Sequence, residues 1–146
     1  MGPVYPSRMR LLGVSALALA AVAAACGSDA GTAAAPPSGR LTITVWPQGR
    51  NAGGARRWTL ECGPAGGSHP HAAKACARLA AVANPFEPVP RDVMCTQIYG
   101  GPQEALVAGT FRGAEVNAHF NRVNGCEIAR WDRIAVLFPI GVGVDS

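Results

Sequence analysis

The hydrophobic rhythm of the chain changes several times from one end to the other. Residues 11–25 carry no charge, and 17–25 contain no polar side chain at all. A polar, small-residue stretch follows at 29–39 (DAGTAAAPPSG), the composition of a flexible tether. At 41–45 apolar Leu41, Ile43 and Val45 alternate with Thr42 and Thr44, which predicts a half-buried strand. Pro47 and the Gly-rich run 49–55 end it, and Trp58, Leu60 and Cys62 share one face of a second strand. Over 70–83 the period lengthens. Ala72, Cys76, Leu79, Ala80 and Ala83 fall on one face with Lys74 and Arg78 opposite, the pattern of an amphipathic helix. Pro70 suits its first turn and Asn84-Pro85 stops it. After a Pro-rich loop, 104–111 and 115–120 alternate again, with Arg112-Gly113-Ala114 as a hairpin turn. Ile134, Val136 and Phe138 predict a last strand. Strands dominate without the alternating order of a parallel sheet, so the expected class is α+β, an antiparallel sheet with a helix on one face.

The first segment reads as an export signal. Arg8 and Arg10 precede an apolar core of 15 residues (11–25), shorter than the roughly 20 needed to span a bilayer. Small residues end it, as at a signal cleavage site. Ala23-Ala24-Ala25-Cys26 also resembles a bacterial lipobox, with Ala23 where Leu is usual. The expectation is a signal peptide at 1–25, a lipidated Cys26 with a tether to 39, a domain at 40–139 and a tail at 140–146. Lipidation would hold the domain at a membrane surface through the anchor alone.

Composition sharpens this. The net charge of +4 is too small for a nucleic-acid binder, and the leader's two arginines supply half of it. The 5 cysteines are an odd number, which in an exported chain implies one thiol with a separate fate. A lipidated Cys26 is that thiol. Cys62, Cys76, Cys95 and Cys126 remain for disulfides, with three pairings open.

Cys62, Pro64, Gly67, His69, Pro70, Ala75, Cys76 and Leu79 fit the pattern C-x-P-x(2)-G-x-H-P-x(4)-A-C-x-x-L. Asp92-Val93-Met94-Cys95, followed shortly by Tyr99, and Asn124-Gly125-Cys126-Glu127 extend the match. The chain thereby resembles the Streptomyces-type subtilisin inhibitor family over most of its mature length. The resemblance implies a five-stranded antiparallel sheet with one main and one short helix. It also implies disulfides Cys62–Cys76 and Cys95–Cys126, a homodimer formed through the sheet, and no cofactor. It places the reactive bond at Gln97–Ile98, with Met94, Cys95, Thr96 and Tyr99 as the protease-contacting loop and Asn124 as its support.

An inhibitor of this kind is an over-rigid substrate. A serine protease would meet the Gln97 carbonyl between its nucleophile and oxyanion hole, while 94–96 pair with its cleft as an added strand. Neutral Gln97 does not supply the cation that an acidic S1 pocket wants, and Met94 suits a hydrophobic S4 site. The expected partner is therefore a subtilisin-type endopeptidase rather than trypsin. Thr96 in place of a common proline, Gly100-Gly101, and Gly125 in place of an acidic residue are departures expected to loosen the loop.

Other chemistries fit less well. A zinc site from Cys62, His69, His71 and Cys76 is conceivable, but an exported cysteine pair at this spacing is better explained by a disulfide, and the expected metal is none. His69 is expected to fix the helix start, and His119, between Asn117 and Asn121, to lie on a solvated face. A cysteine-nucleophile enzyme needs a free thiol, which the disulfide reading denies it. The alternative function is a surface-anchored binding module that keeps the inhibitor fold without inhibiting proteases.

Overall fold

The computed structural model describes residues 36–140; the leader, Cys26, most of the tether and the tail from 141 lie outside the described residues. Strands β1 (Gly39–Trp46) and β2 (Arg56–Cys62) come first, then helix α1 (Ala72–Ala81). Strands β3 (Glu104–Phe111) and β4 (Ala114–Phe120) and helix α2 (Gly125–Arg133) follow. Single 3-10 turns occupy Arg50–Ala52 and Ala135–Leu137. The strands form one antiparallel sheet in the order β2-β1-β3-β4.

The alternation read from the sequence sets the two faces of this sheet. Leu41, Ile43 and Val45 point to the same side as Leu60, Cys62, Val107, Phe111, Val116 and Phe120, and all are buried. Ile43 stands opposite Trp58 on one side and Val107 on the other, so β1 is, with β3, an inner strand paired along both edges. The helices cover this face with Ala75 and Leu79 from α1, Trp131 from α2, and Ile134, Leu137 and Phe138 beyond it. The Phe138 ring lies 4.4 Å from Trp131 and 5.3 Å from Phe120, centroid to centroid. Each large aliphatic side chain enclosed here contributes about 1.5–3 kcal/mol.

Two expectations are corrected. The strand expected at 134–138 is absent: among the described residues the sheet has four strands, and this segment continues from α2 into a 3-10 turn. The buried positions Arg130, Trp131, Ile134, Leu137 and Phe138 recur at helical intervals, while Val136 is only partly buried. The alternation of 134, 136 and 138 is thus coincidental with a helical stripe. The second correction is a rotation of α1. Its inner face is Ala72, Ala75, Cys76 and Leu79, whereas Ala80 and Ala83 are exposed. Alanine is apolar enough to mark either face, so a run rich in it gives poor angular resolution.

Both expected disulfides are present, Cys62–Cys76 and Cys95–Cys126. The first ties the end of β2 to α1 and, with the second, uses all four cysteines of the domain. Close by, the His69 backbone N–H donates to the Thr59 carbonyl at 3.0 Å. A side chain on Gly67 would overlap that same carbonyl, so this approach needs glycine. The His69 ring is buried, and its Nδ1 accepts from the His71 N–H, at the N-cap of α1, at 3.1 Å. Its Nε2 lies 3.3 Å from the Leu137 carbonyl, a donation that fixes the tautomer. One imidazole thus joins the helix start to the C-terminal segment.

Two arginines close the remaining gaps. Arg112 and Gly113 have positive φ, as the two-residue hairpin turn between β3 and β4 requires. From that turn the Arg112 guanidinium donates to the carbonyls of Leu79, Ala80, Val82 and Ala83, satisfying the C-terminal end of α1. Arg130 is only 7% exposed and donates to the carbonyls of Glu87 at 2.7 Å, His119 at 2.6 Å and Phe86 at 3.4 Å. It also pairs with the Glu127 carboxylate at 3.2 Å and lies 3.9 Å from the centre of the Phe120 ring.

Two predictions follow from these contacts. Arg130→Ala leaves several buried acceptors without a donor and should cost about 3–5 kcal/mol in urea unfolding. The second concerns pH. Burial holds the His69 pKa below its ordinary value, aided by the neighbouring His71 charge and opposed by the Leu137 carbonyl. The unfolded chain therefore binds this proton more readily, and stability contributed by neutral His69 declines as pH falls below about 6.5. Unfolding free energies measured from pH 7 to 5 should fall less steeply in His69→Gln than in the wild type.

Candidate functional site

The segment between α1 and β3 spans residues 82–103 without regular secondary structure. A loop of that length in a small domain is held by specific contacts or is not held at all. Here it is held. Phe86 packs edge-on against Phe111 at 5.6 Å, and the carbonyls of Phe86 and Glu87 sit on Arg130. The chain then leaves the surface, and Met94 is 98% exposed.

Cys95 returns it through the disulfide to Cys126, the second residue of α2. The next residue, Thr96, accepts the Gly125 N–H on its carbonyl at 2.9 Å. A second anchor lies at Gly100, whose N–H donates to the Arg122 carbonyl at 2.8 Å. The Arg122 Nε–H returns a bond to the Gly100 carbonyl at 3.1 Å. Gln97, Ile98 and Tyr99 bridge these two anchors. Ile98 is 60% and Tyr99 66% exposed, large apolar groups turned to solvent by a backbone pinned on both sides. The Gln97 side chain folds back to donate to the Cys95 carbonyl at 3.2 Å. Its own carbonyl has no hydrogen-bond partner among the described residues.

A shallow groove of about 420 Å³ opens beside Tyr99, with Arg50, Gln103, Glu104, His119 and Asn121 among its lining residues. The Glu104 carboxyl sits below the usual carboxylate range, chiefly because it accepts the Arg50 backbone N–H and also bonds His119. His119 is accordingly on an exposed face but paired with Glu104 at 2.9 Å. The metal alternative finds no support in the chemistry of its four groups. Cys62 and Cys76 are joined to each other, and His69 uses both ring nitrogens in hydrogen bonds.

A family model described as subtilisin inhibitor-like matches residues 35–124. The chain belongs to that family. It is 36% identical over 118 residues to the subtilisin inhibitor of Streptomyces albogriseolus, covering 78% of this chain and 81% of the relative. It is 38% identical over 131 residues to the subtilisin inhibitor of Streptomyces violaceus, covering 77% and 88% respectively. A probable subtilase-type protease inhibitor of Streptomyces avermitilis is 34% identical over 117 residues, covering 70% and 81%. Among solved structures, Streptomyces caespitosus sermetstatin in complex with Bacillus licheniformis subtilisin aligns with a TM-score of 0.44 and 22% identity, over 70% of this chain and 98% of that one. The family is one of protease inhibitors and not of enzymes.

Met94, Cys95, Thr96, Gln97, Ile98 and Tyr99 thus lie in one continuous loop segment, with the Cys95–Cys126 bridge at its base. Asn124 stands one step further back. Its side-chain oxygen accepts the Glu127 N–H at 3.0 Å and caps α2, so it positions Cys126 and not the loop directly. Direct bracing comes from the Gly125 N–H, a position the sequence marked only as a source of looseness, and from Arg122, which was not singled out from the sequence. Their contacts reach across more than twenty residues and leave no local pattern. For α2 itself a signal was present, since Asn124 followed by Glu127 has the spacing of a capping box.

The structure also couples two departures from the family pattern. A Cβ on Gly125 would overlap the Thr96 Oγ1, so the Thr96 hydroxyl occupies space that only glycine leaves open. Gly125→Ala should therefore destabilise the protein by about 1–2 kcal/mol, and Thr96→Ala in the same chain should recover most of that. Denaturant unfolding of the two single variants and the double variant measures the coupling. Additive losses would show that the two residues are independent.

Proposed function

We propose that the chain is a proteinaceous inhibitor of subtilisin-type serine proteases, offering Gln97–Ile98 as a substrate-like bond. The observation that carries this reading is the doubly anchored loop, with its Gln97 carbonyl unpaired among the described residues and Met94, Ile98 and Tyr99 exposed. Its relatives named subtilisin inhibitors support the same partner class. Met94 enters the hydrophobic S4 site, Cys95 and Thr96 pair with the cleft backbone, Gln97 fills S1, and Ile98 and Tyr99 take the primed side. Asn124 supports the loop through the cap of α2.

The gain in affinity is entropic in origin. An unanchored peptide loses backbone freedom on entering a cleft, roughly 1–2 kcal/mol per residue. The disulfide and the anchors at Thr96 and Gly100 have already removed most of that freedom, so less is lost on binding. Once the bond is cut, both new ends stay near the enzyme, and slow turnover converts a substrate into an inhibitor.

The same reading gives the chain a place and an assembly. An export signal at 1–25 delivers it to an oxidising compartment, which its two disulfides require. Lipidation of Cys26 tethers it to the membrane surface. A homodimer forms through the face of the sheet opposite the helices, where Thr44 is buried and Leu106 and Ala108 are partly buried.

The purified protein should titrate subtilisin stoichiometrically and inhibit trypsin weakly. Gln97→Lys should strengthen trypsin inhibition by about a hundredfold, the worth of a desolvated charge pair in an acidic S1 pocket. An unchanged profile would mean that Gln97 does not occupy S1. Absence of subtilisin inhibition at micromolar concentration would instead favour a binding module that has kept only the fold.

A further inference from the structure

Rejoining a cut bond needs the leaving amine held in place, and this structure holds the two sides of Gln97–Ile98 unequally. The inference rests on the reading that this is the bond offered to a protease. When the protease serine attacks the Gln97 carbonyl carbon, the C–N bond to Ile98 breaks. The serine proton passes through the enzyme's histidine to the Ile98 nitrogen, and an ester joins Gln97 to the enzyme. Water can then attack the ester, releasing a Gln97 carboxylic acid and restoring the serine hydroxyl. Alternatively the Ile98 amine attacks it, re-forming the C–N bond and returning its proton to the serine oxygen. The position of that amine decides between the two.

Gln97 is one residue from the Thr96 carbonyl bonded to Gly125, and two from the Cys95 disulfide. Ile98 is two residues from its nearest anchor, Gly100, so its amine can range over about 7 Å at roughly 3.5 Å per residue. Gly100 and Gly101 are adjacent glycines, the most pliable dipeptide of the loop. Arg122 grips Gly100 through its own carbonyl and its Nε–H. Its side chain is only 19% exposed; the Nη1 pairs with Asp132 at 2.8 Å, and the guanidinium lies 5.8 Å from the Trp131 ring centre. The donor is therefore aimed before any protease arrives, by a carboxylate on the same helix that carries Cys126.

We propose that Arg122, aimed by Asp132, is the positioning residue that keeps the Ile98 amine beside the acyl-enzyme and so sets how far the cut bond is rejoined. Both cut ends are then held by one rigid stretch, 122–132, the Gln97 side covalently and the Ile98 side through Arg122.

The test is the equilibrium ratio of intact to Gln97–Ile98-cut chain in the presence of catalytic subtilisin, approached from both the intact and the cut protein. The ratio is measured well below each variant's unfolding transition. The wild type should remain mostly intact. Arg122→Leu should lower the ratio at least tenfold, the expected effect of losing one charge-assisted hydrogen bond, and should be hydrolysed correspondingly faster. Asp132→Asn, at an exposed position, should fall between the two, and Arg122→Lys should recover only part because one ammonium cannot serve both Gly100 and Asp132 in the same geometry. A merely structural role would lower the unfolding midpoint without moving the ratio. A wild-type ratio in Arg122→Leu overturns the proposal and leaves the inhibitor reading standing. Should that variant fail to fold, a wild-type ratio in Asp132→Asn overturns it equally. A wild type that does not inhibit, or that is cut at another bond, removes the reading on which the proposal rests.

Discussion

The buried guanidinium of Arg130 is the contact on which the rest of the molecule depends. It sits on the Phe120 ring and collects carbonyls from the edge of the sheet and from the start of the long loop, with Glu127 balancing its charge. No apolar side chain could do this, because the carbonyls at that junction belong to irregular backbone and need donors wherever water is excluded. A planar group with five N–H donors meets several acceptors in different directions at once. Its placement fixes where α2 lies, and α2 carries the parts that shape the exposed loop.

From that placement the loop geometry follows in short steps. Asn124 caps α2, so Gly125 and Cys126 stand at a defined helix terminus. Cys126 takes the disulfide and Gly125 donates to Thr96, while the preceding residues bring Arg122 beneath Gly100. The exposed residues themselves make few contacts. Their order is supplied from behind, by one helix terminus and the turn before it, which leaves the outward surface free for a partner. Rigidity without self-burial is what a substrate-like loop needs, since every group used to hold it is unavailable to an enzyme cleft.

Legibility in the sequence varied with the kind of physics involved. β1 and β4 were plain, because one buried face forces strict alternation over Leu41 to Val45 and over Val116 to Phe120. The Arg112-Gly113 turn was plain for a similar reason, since its backbone shape restricts the residues that fit. The segment 134–138 after α2 was misread as a strand. That helix is short and polar outside, and the apolar positions beyond it happen to alternate before they reveal their helical spacing. The departures at Thr96 and Gly125 were read as two separate sources of looseness. They are one fitted contact, which is visible only when residues far apart in the chain meet.

By itself the sequence determined the strand faces, the helix over the first disulfide and, through its motif spacing, the family. These depend on local periodicity, backbone preference or spacing, all written in neighbouring residues. Tertiary structure decided the number of strands, the inner face of α1, and the roles of Arg112, Arg122 and Arg130. An arginine on a surface pattern reads as solvated charge. Whether it instead closes a helix end, grips a loop or fills a polar junction depends on which carbonyls the fold brings within reach of its side chain, and that distance exists only after the chain has folded.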